Sequence, residues 1–93
     1  MAPVVIAGRF ELLSHAAQGG MGSVYRGLDR KTGRAVAVKV LTHGRPIDVV
    51  RFKREAEVLA TINHPNIVDY VAHGDEDNVR FLVQEWEIGR AHV

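Results

Sequence analysis

The sequence predicts an α+β fold: a five-stranded antiparallel sheet with one main helix between its third and fourth strands. Three observations lead there. Short runs rich in Val, Leu, Phe and Tyr recur between polar, glycine-containing turns. One longer stretch, Asp48 to Asn63, places Phe52, Ala56, Leu59 and Ile62 at three- and four-residue steps, the spacing of one helix face. Crossover helices do not alternate with the strands, which argues against a parallel, doubly wound sheet.

Residues 1–8 read as a short leader without structure of its own. Phe10 to Leu13 opens the first strand. Gln18 to Ser23 holds three glycines within four residues and should interrupt it, because each glycine adds backbone freedom that folding must remove. Such a run is either an ordinary hairpin turn or a place where backbone closely approaches a ligand. Val24 to Leu28 restarts a strand, and Asp29 to Arg34 is a polar turn. Ala35 to Leu41 is the third strand. Thr42 to Pro46 is a loop, with Asp48 as N-cap of the helix. His64-Pro65-Asn66 ends the helix, since a residue before proline avoids helical dihedrals. Ile67 to His73 is the fourth strand, Gly74 to Asn78 a turn, and Val79 to Trp86 the fifth strand.

Two charged residues disturb this pattern. Six of the seven residues in Ala35-Val36-Ala37-Val38-Lys39-Val40-Leu41 are apolar, which reads as a strand buried on both faces or nearly so. Alternation puts the three valines on one side and Ala35, Ala37, Lys39 and Leu41 on the other. An ammonium in such a run needs an anion unless it snorkels from an edge. Glu55 falls inside the apolar stripe of the helix, three after Phe52 and four before Leu59. Each misfit satisfies the other if they pair. A purely structural ion pair remains open, but buried pairs are weak devices for stability. Beside a cleft, the pairing points to a lysine positioned for use, with two small alanines leaving room for something flat.

Composition narrows the class. Apolar residues make up 46% and charged residues 25%, with a net charge of +1. Ninety-three residues make one small domain or part of a larger one. The balance gives no reason to expect a nucleic-acid partner or direct membrane contact. There is no cysteine, so no disulfide framework and no thiolate metal site. The five histidines show no metal-ligand spacing, and His64 is most simply a turn residue bonding backbone. Met1 to Ala7 lacks the basic start and long apolar core of a signal peptide, so the expected compartment is the cytoplasm, with a membrane anchor further along a full-length protein left open.

The motifs, taken together, resemble the small N-terminal lobe of a bacterial protein serine/threonine kinase of the eukaryotic-like, Hanks type. Gly19-Gly20-Met21-Gly22-Ser23-Val24-Tyr25 resembles that family's glycine-rich loop. Val36-Ala37-Val38-Lys39 is similar to its lysine strand, and Arg51 to Ala56 to the helix bearing the partner glutamate. His64-Pro65-Asn66-Ile67-Val68 resembles the link into strand four, and Phe81 to Trp86 the strand that enters the hinge. Each motif alone is weak, but five in order at the right gaps are specific, and they cover nearly everything from Arg9 to Trp86. On this resemblance residues 9–86 form an incomplete kinase domain. One position departs from the pattern. Aligning Val24 with the motif's valine puts Ala17 where the first glycine of the loop would stand, which implies a stiffer turn and weaker nucleotide affinity.

The resemblance implies roles. The loop Ala17, Gln18, Gly19, Gly20, Met21 and Gly22 would cover the phosphates of ATP. Lys39 would bind the alpha and beta phosphates, held by Glu55. Val24 and Ala37 would roof the adenine. Gln84 would control access behind it, and backbone groups at Glu85 and Glu87 would bond its edge. Leu59 and Tyr70 would belong to the packed column between helix and sheet, where plain core is an equally good reading. Phosphoryl transfer in this family also needs the His-Arg-Asp and Asp-Phe-Gly motifs of the larger lobe, and neither occurs here. Mg2+ would therefore find its ligands in that lobe, as would protein substrates. By itself the chain is expected to phosphorylate nothing and, with an apolar underside uncovered, to be poorly soluble. The alternative is a pseudokinase-like nucleotide-binding or scaffolding module without catalysis. A dinucleotide-binding or P-loop domain fails, because no Lys-Ser/Thr pair follows the glycines.

Residues 87–93, Glu-Ile-Gly-Arg-Ala-His-Val, do not continue the family pattern of hinge and helix. They can be encoded by GAG ATC GGA AGA GCA CAC GTC, which is similar to a widely used sequencing-library adapter read in frame. This tail is expected to be non-native.

Overall fold

The computed structural model describes residues 2–19, 22–41, 46–61 and 70–86. The chain builds β1 (Val5–Ile6), β2 (Phe10–Gly19), β3 (Gly22–Asp29), β4 (Ala35–Leu41), α1 (Pro46–Thr61), β5 (Tyr70–Glu76) and β6 (Val79–Glu85). The six strands form one antiparallel sheet in the order β1-β2-β3-β4-β6-β5. This is the expected α+β architecture with one strand added.

The added strand lies in the segment read as an unstructured leader. Val5 and Ile6 pair with Glu11 and Phe10 after a tight turn in which Ala7 and Gly8 have φ of 54° and 64°. Ile6 is only 7% exposed and packs with Phe10, Val36, Val38, Val40, Phe81 and Val83. Two residues are too few to show an alternation, so this strand depends on the core it joins.

The strands run further into the glycine run than expected, with β2 ending at Gly19 and β3 beginning at Gly22. β2 runs through Gln18 and Gly19, which pair with Ser23 and Gly22, and register shifts around Leu13 and Ala16 mark bulges that bend it. The fourth strand was expected over 67–73 with a turn over 74–78. It is described from Tyr70 and continues to Glu76; residues 67–69 lie outside the described part. The turn is only Asp77-Asn78, with φ of 48° and 66°, the left-handed pair that a two-residue hairpin of matching twist requires. α1 begins at Pro46, two residues before the expected start, so Asp48 sits in the first turn rather than at the cap. Proline suits the first helical position because the amide it lacks would have had no helical partner. Residues 62–66, including Ile62 and His64, fall outside the described residues.

β4 separates two packed layers. Val36, Val38 and Val40 project into the cluster with Ile6 and Phe10. On the other face Leu41 joins Leu82, Phe52 and Ala56, which seats α1, and Val49 and Tyr70 border it. The expectation of burial on both faces holds in part: the valine face is buried, whereas Ala35, Ala37 and Lys39 on the helix side are half-buried. α1 covers part of that side, packing chiefly against β5 and against Leu41 and Leu82.

Asp29, at the end of β3, is buried to 2% exposure and meets Arg9 through two hydrogen bonds of 2.8 Å. Those bonds hold its carboxyl down at about 2. Burial pushes the other way, and the Lys31 N–H and Thr32 hydroxyl add to the lowering. Because the folded value lies below that of the unfolded chain, the stabilisation is complete above about pH 4 and is lost as pH falls through about 2. It amounts to about 2 kcal/mol at neutral pH. Urea midpoints measured down to pH 2 should therefore show a steeper acid limb for the natural chain than for Asp29→Asn. Parallel acid limbs would show that this carboxylate contributes nothing.

Candidate functional site

The register of the sheet assembles the site. Cross-strand partners share a face, and Lys39 is flanked by Val24 on β3 and Leu82 on β6. Two residues along, Ala37 is flanked by Arg26 and Gln84, and Tyr70 lies beyond Gln84. Ala17 faces Val24 from β2. Ala17, Val24, Ala37, Lys39 and Gln84 thus lie on the side of the sheet that carries α1. Val24, Ala37 and Gln84 are half-buried there.

Lys39 and Glu55 meet. Lys39 Nζ donates to Glu55 Oε1 at 2.9 Å, joining the middle of β4 to the middle of α1 across sixteen residues of sequence. The lysine side chain is 29% exposed and the glutamate 41%. The pair is therefore partly solvated rather than buried, as the apolar runs around it had implied. Partial exposure changes its meaning. An exposed pair contributes about 0–1 kcal/mol to stability, so the fold gains little from an ammonium here. The ammonium keeps two further N–H groups beyond the one given to Glu55, and at 29% exposure they can be reached from solvent.

Gly22 has a structural duty. Its φ is 132°, and a Cβ built there would fall on the Val40 carbonyl oxygen. The close approach is to the neighbouring strand, so glycine is required at this position with or without a ligand. Gly19 pairs with Gly22 at the end of the hairpin. Gly20 and Met21 lie outside the described residues, as do Glu87 and the rest of residues 87–93. Glu85 is the last residue of β6 and Trp86 follows it. Among the described residues, no group of three acidic or histidine side chains could hold a metal ion. Also among them, no helix is long and apolar enough to cross a membrane.

Val24 and Ala37 place two small apolar side chains, both half-buried, on the same face as the Lys39 ammonium. A charged N–H donor of this kind can bond the oxygens of an anion such as phosphate. Sequence reading missed Leu82, which lies beside Lys39 and is 1% exposed beneath α1. It also missed the ion pairs Arg9–Asp29 and Arg34–Glu85, whose partners stand 20 and 51 residues apart and leave no periodic signal.

Comparison with known proteins agrees with this geometry. Residues 10–91 match the model of the protein kinase domain. The chain is 40% identical over 91 residues to the serine/threonine-protein kinase pkn2 of Myxococcus xanthus, covering 95% of this chain and 11% of that protein. It is 37% identical over 87 residues to the serine/threonine-protein kinase PrkC of Bacillus subtilis, covering 90% of this chain and 13% of PrkC. It is 38% identical over 90 residues to the serine/threonine-protein kinase PknA of Mycobacterium tuberculosis, covering 88% and 21%. The chain therefore spans about a fifth or less of these relatives.

Proposed function

The chain belongs to the protein kinase family, as a short N-terminal lobe, and from that premise we propose that it forms one wall of the ATP site of a serine/threonine kinase. The observation that carries this reading is the 2.9 Å contact between Lys39 and Glu55 on the helix-side face of the sheet. Lys39 binds the alpha and beta phosphates, and Glu55 keeps its ammonium beside Val24 and Ala37 instead of letting the four-carbon stem wander. Val24 and Ala37 pack against the adenine ring. Gln84 limits access behind it, and the backbone at Glu85 and Glu87 bonds its edge. The loop from Ala17 to Gly22 covers the phosphates. ATP supplies the gamma-phosphoryl group that the whole enzyme passes to a Ser or Thr hydroxyl of a protein. The residues that deprotonate that hydroxyl and hold Mg2+ belong to the larger lobe. The catalytic reading is favoured over a binding-only module because both members of the lysine–glutamate pair are present and in contact.

Amide NMR of the 93-residue chain titrated with ATP tests the reading. ATP should move the signals of Val24, Ala37, Lys39 and Glu85, whereas inorganic tripolyphosphate should move mainly those near Lys39. Shifts confined to the valine face of β4 would overturn it.

A further inference from the structure

We propose that Arg34 is a positioning residue for the nucleotide base: its guanidinium holds the end of β6 in place from the far side of the sheet. This rests on the reading of Glu85 as a site for the adenine edge. The ladder between β4 and β6 ends at Val36 and Glu85. Beyond it, the strand end is tied by two contacts to the start of β4. Trp86 N–H donates to the Ala35 carbonyl at 3.2 Å, and Arg34 Nη1 donates to Glu85 Oε1 at 2.9 Å. Glu85 shares a face with Val36, opposite to Lys39, so Arg34 reaches the strand from the side away from Lys39.

Arg34 is itself anchored. Its N–H donates to Thr32 Oγ1 at 3.2 Å, and its carbonyl accepts from Asp29 N–H at 2.9 Å. The Lys31 N–H donates to Asp29 Oδ1 at 2.9 Å, and Arg9 grips the same carboxylate twice. A chain of bonds therefore runs from the start of β2, through a buried carboxylate and a tight turn, to the peptide beside the base. The anchoring end is nearly dry, with Asp29 2% exposed. The working end is wet, with the Arg34 side chain 70% exposed and that of Glu85 23%. A wet pair contributes little to stability, but it sets the orientation of one peptide group.

The test uses the 93-residue chain and amide NMR, with ATP and inorganic tripolyphosphate as probes. Without any nucleotide, Arg34→Ala should speed hydrogen exchange at the Trp86 amide by about two- to fivefold, the range of an exposed ion pair. The same variant should weaken ATP binding by about two- to fivefold and leave tripolyphosphate binding unchanged. Arg34→Lys should keep most of the affinity, and the double variant Arg34→Glu with Glu85→Arg should recover it. Equal weakening of both probes, or no change in either, overturns the proposal while leaving the nucleotide site in place. If the natural chain binds ATP no better than tripolyphosphate, the adenine reading falls and this proposal with it.

Discussion

Lys39→Met is expected to weaken ATP binding by about 10- to 100-fold, the loss that follows when a charged hydrogen-bond donor is taken from a phosphate. The melting temperature should fall by less than about 5 °C. The contrast between these two numbers is the informative part. Lys39 and Glu55 are 29% and 41% exposed, so removing the ammonium leaves a carboxylate that water can solvate. A buried pair would behave differently, because the stranded charge would cost about 3–5 kcal/mol and unfold a lobe of this size. Methionine keeps the length and apolar stem of lysine, which separates lost charge from lost packing. Titration of the natural chain and the variant with ATP, alongside melts followed by circular dichroism, gives both numbers. A large fall in melting temperature with unchanged affinity would make the pair structural and remove the main support for a nucleotide site.

Gly22→Ala should destabilise the chain by at least about 2 kcal/mol, which for 93 residues lowers the melting temperature by roughly 10 °C. Two costs combine. A φ of 132° is one that side-chain-bearing residues rarely adopt, and the new Cβ would lie on the Val40 carbonyl oxygen. Gly33 provides the control. Its φ is 76°, but a Cβ there meets nothing within 4 Å. Gly33→Ala should therefore cost about 1 kcal/mol, from the dihedral alone. Similar losses in the two variants would show that Val40 does not constrain the hairpin. The comparison also bears on how glycine-rich loops are read. Glycine at position 22 is demanded by the adjacent strand, so its presence alone does not indicate a ligand.

How legible the site was can be followed residue by residue. Lys39 and Glu55 were visible because each broke a pattern of its own, one a run of valines and the other a helical stripe. Ala37 followed from alternation along the same strand. Val24, Gln84 and Glu85 took their roles from resemblance to kinases, and only the register showed Val24 beside Lys39 and Gln84 beside Ala37. The glycine run reads as a hairpin turn or a ligand loop; Gly19 and Gly22 pair at the end of a hairpin, and Gly22 takes a φ of 132° there. Ile6 was missed because a two-residue strand shows no period and becomes a strand only against Phe10.

The sequence by itself determined the α+β class, the position of α1, the alternating faces of β4 and the two charges that had to find each other. These follow from local periodicity and from the cost of an unpaired charge, both of which are written in neighbouring residues. The tertiary structure decided the sixth strand, the solvation of the Lys39–Glu55 pair, the reason for glycine at position 22, and the ties from Arg9 through Asp29 and from Arg34 to Glu85. Those depend on which residues distant in sequence become neighbours across the sheet. A pattern read along the chain does not contain that information until the strands have taken their order.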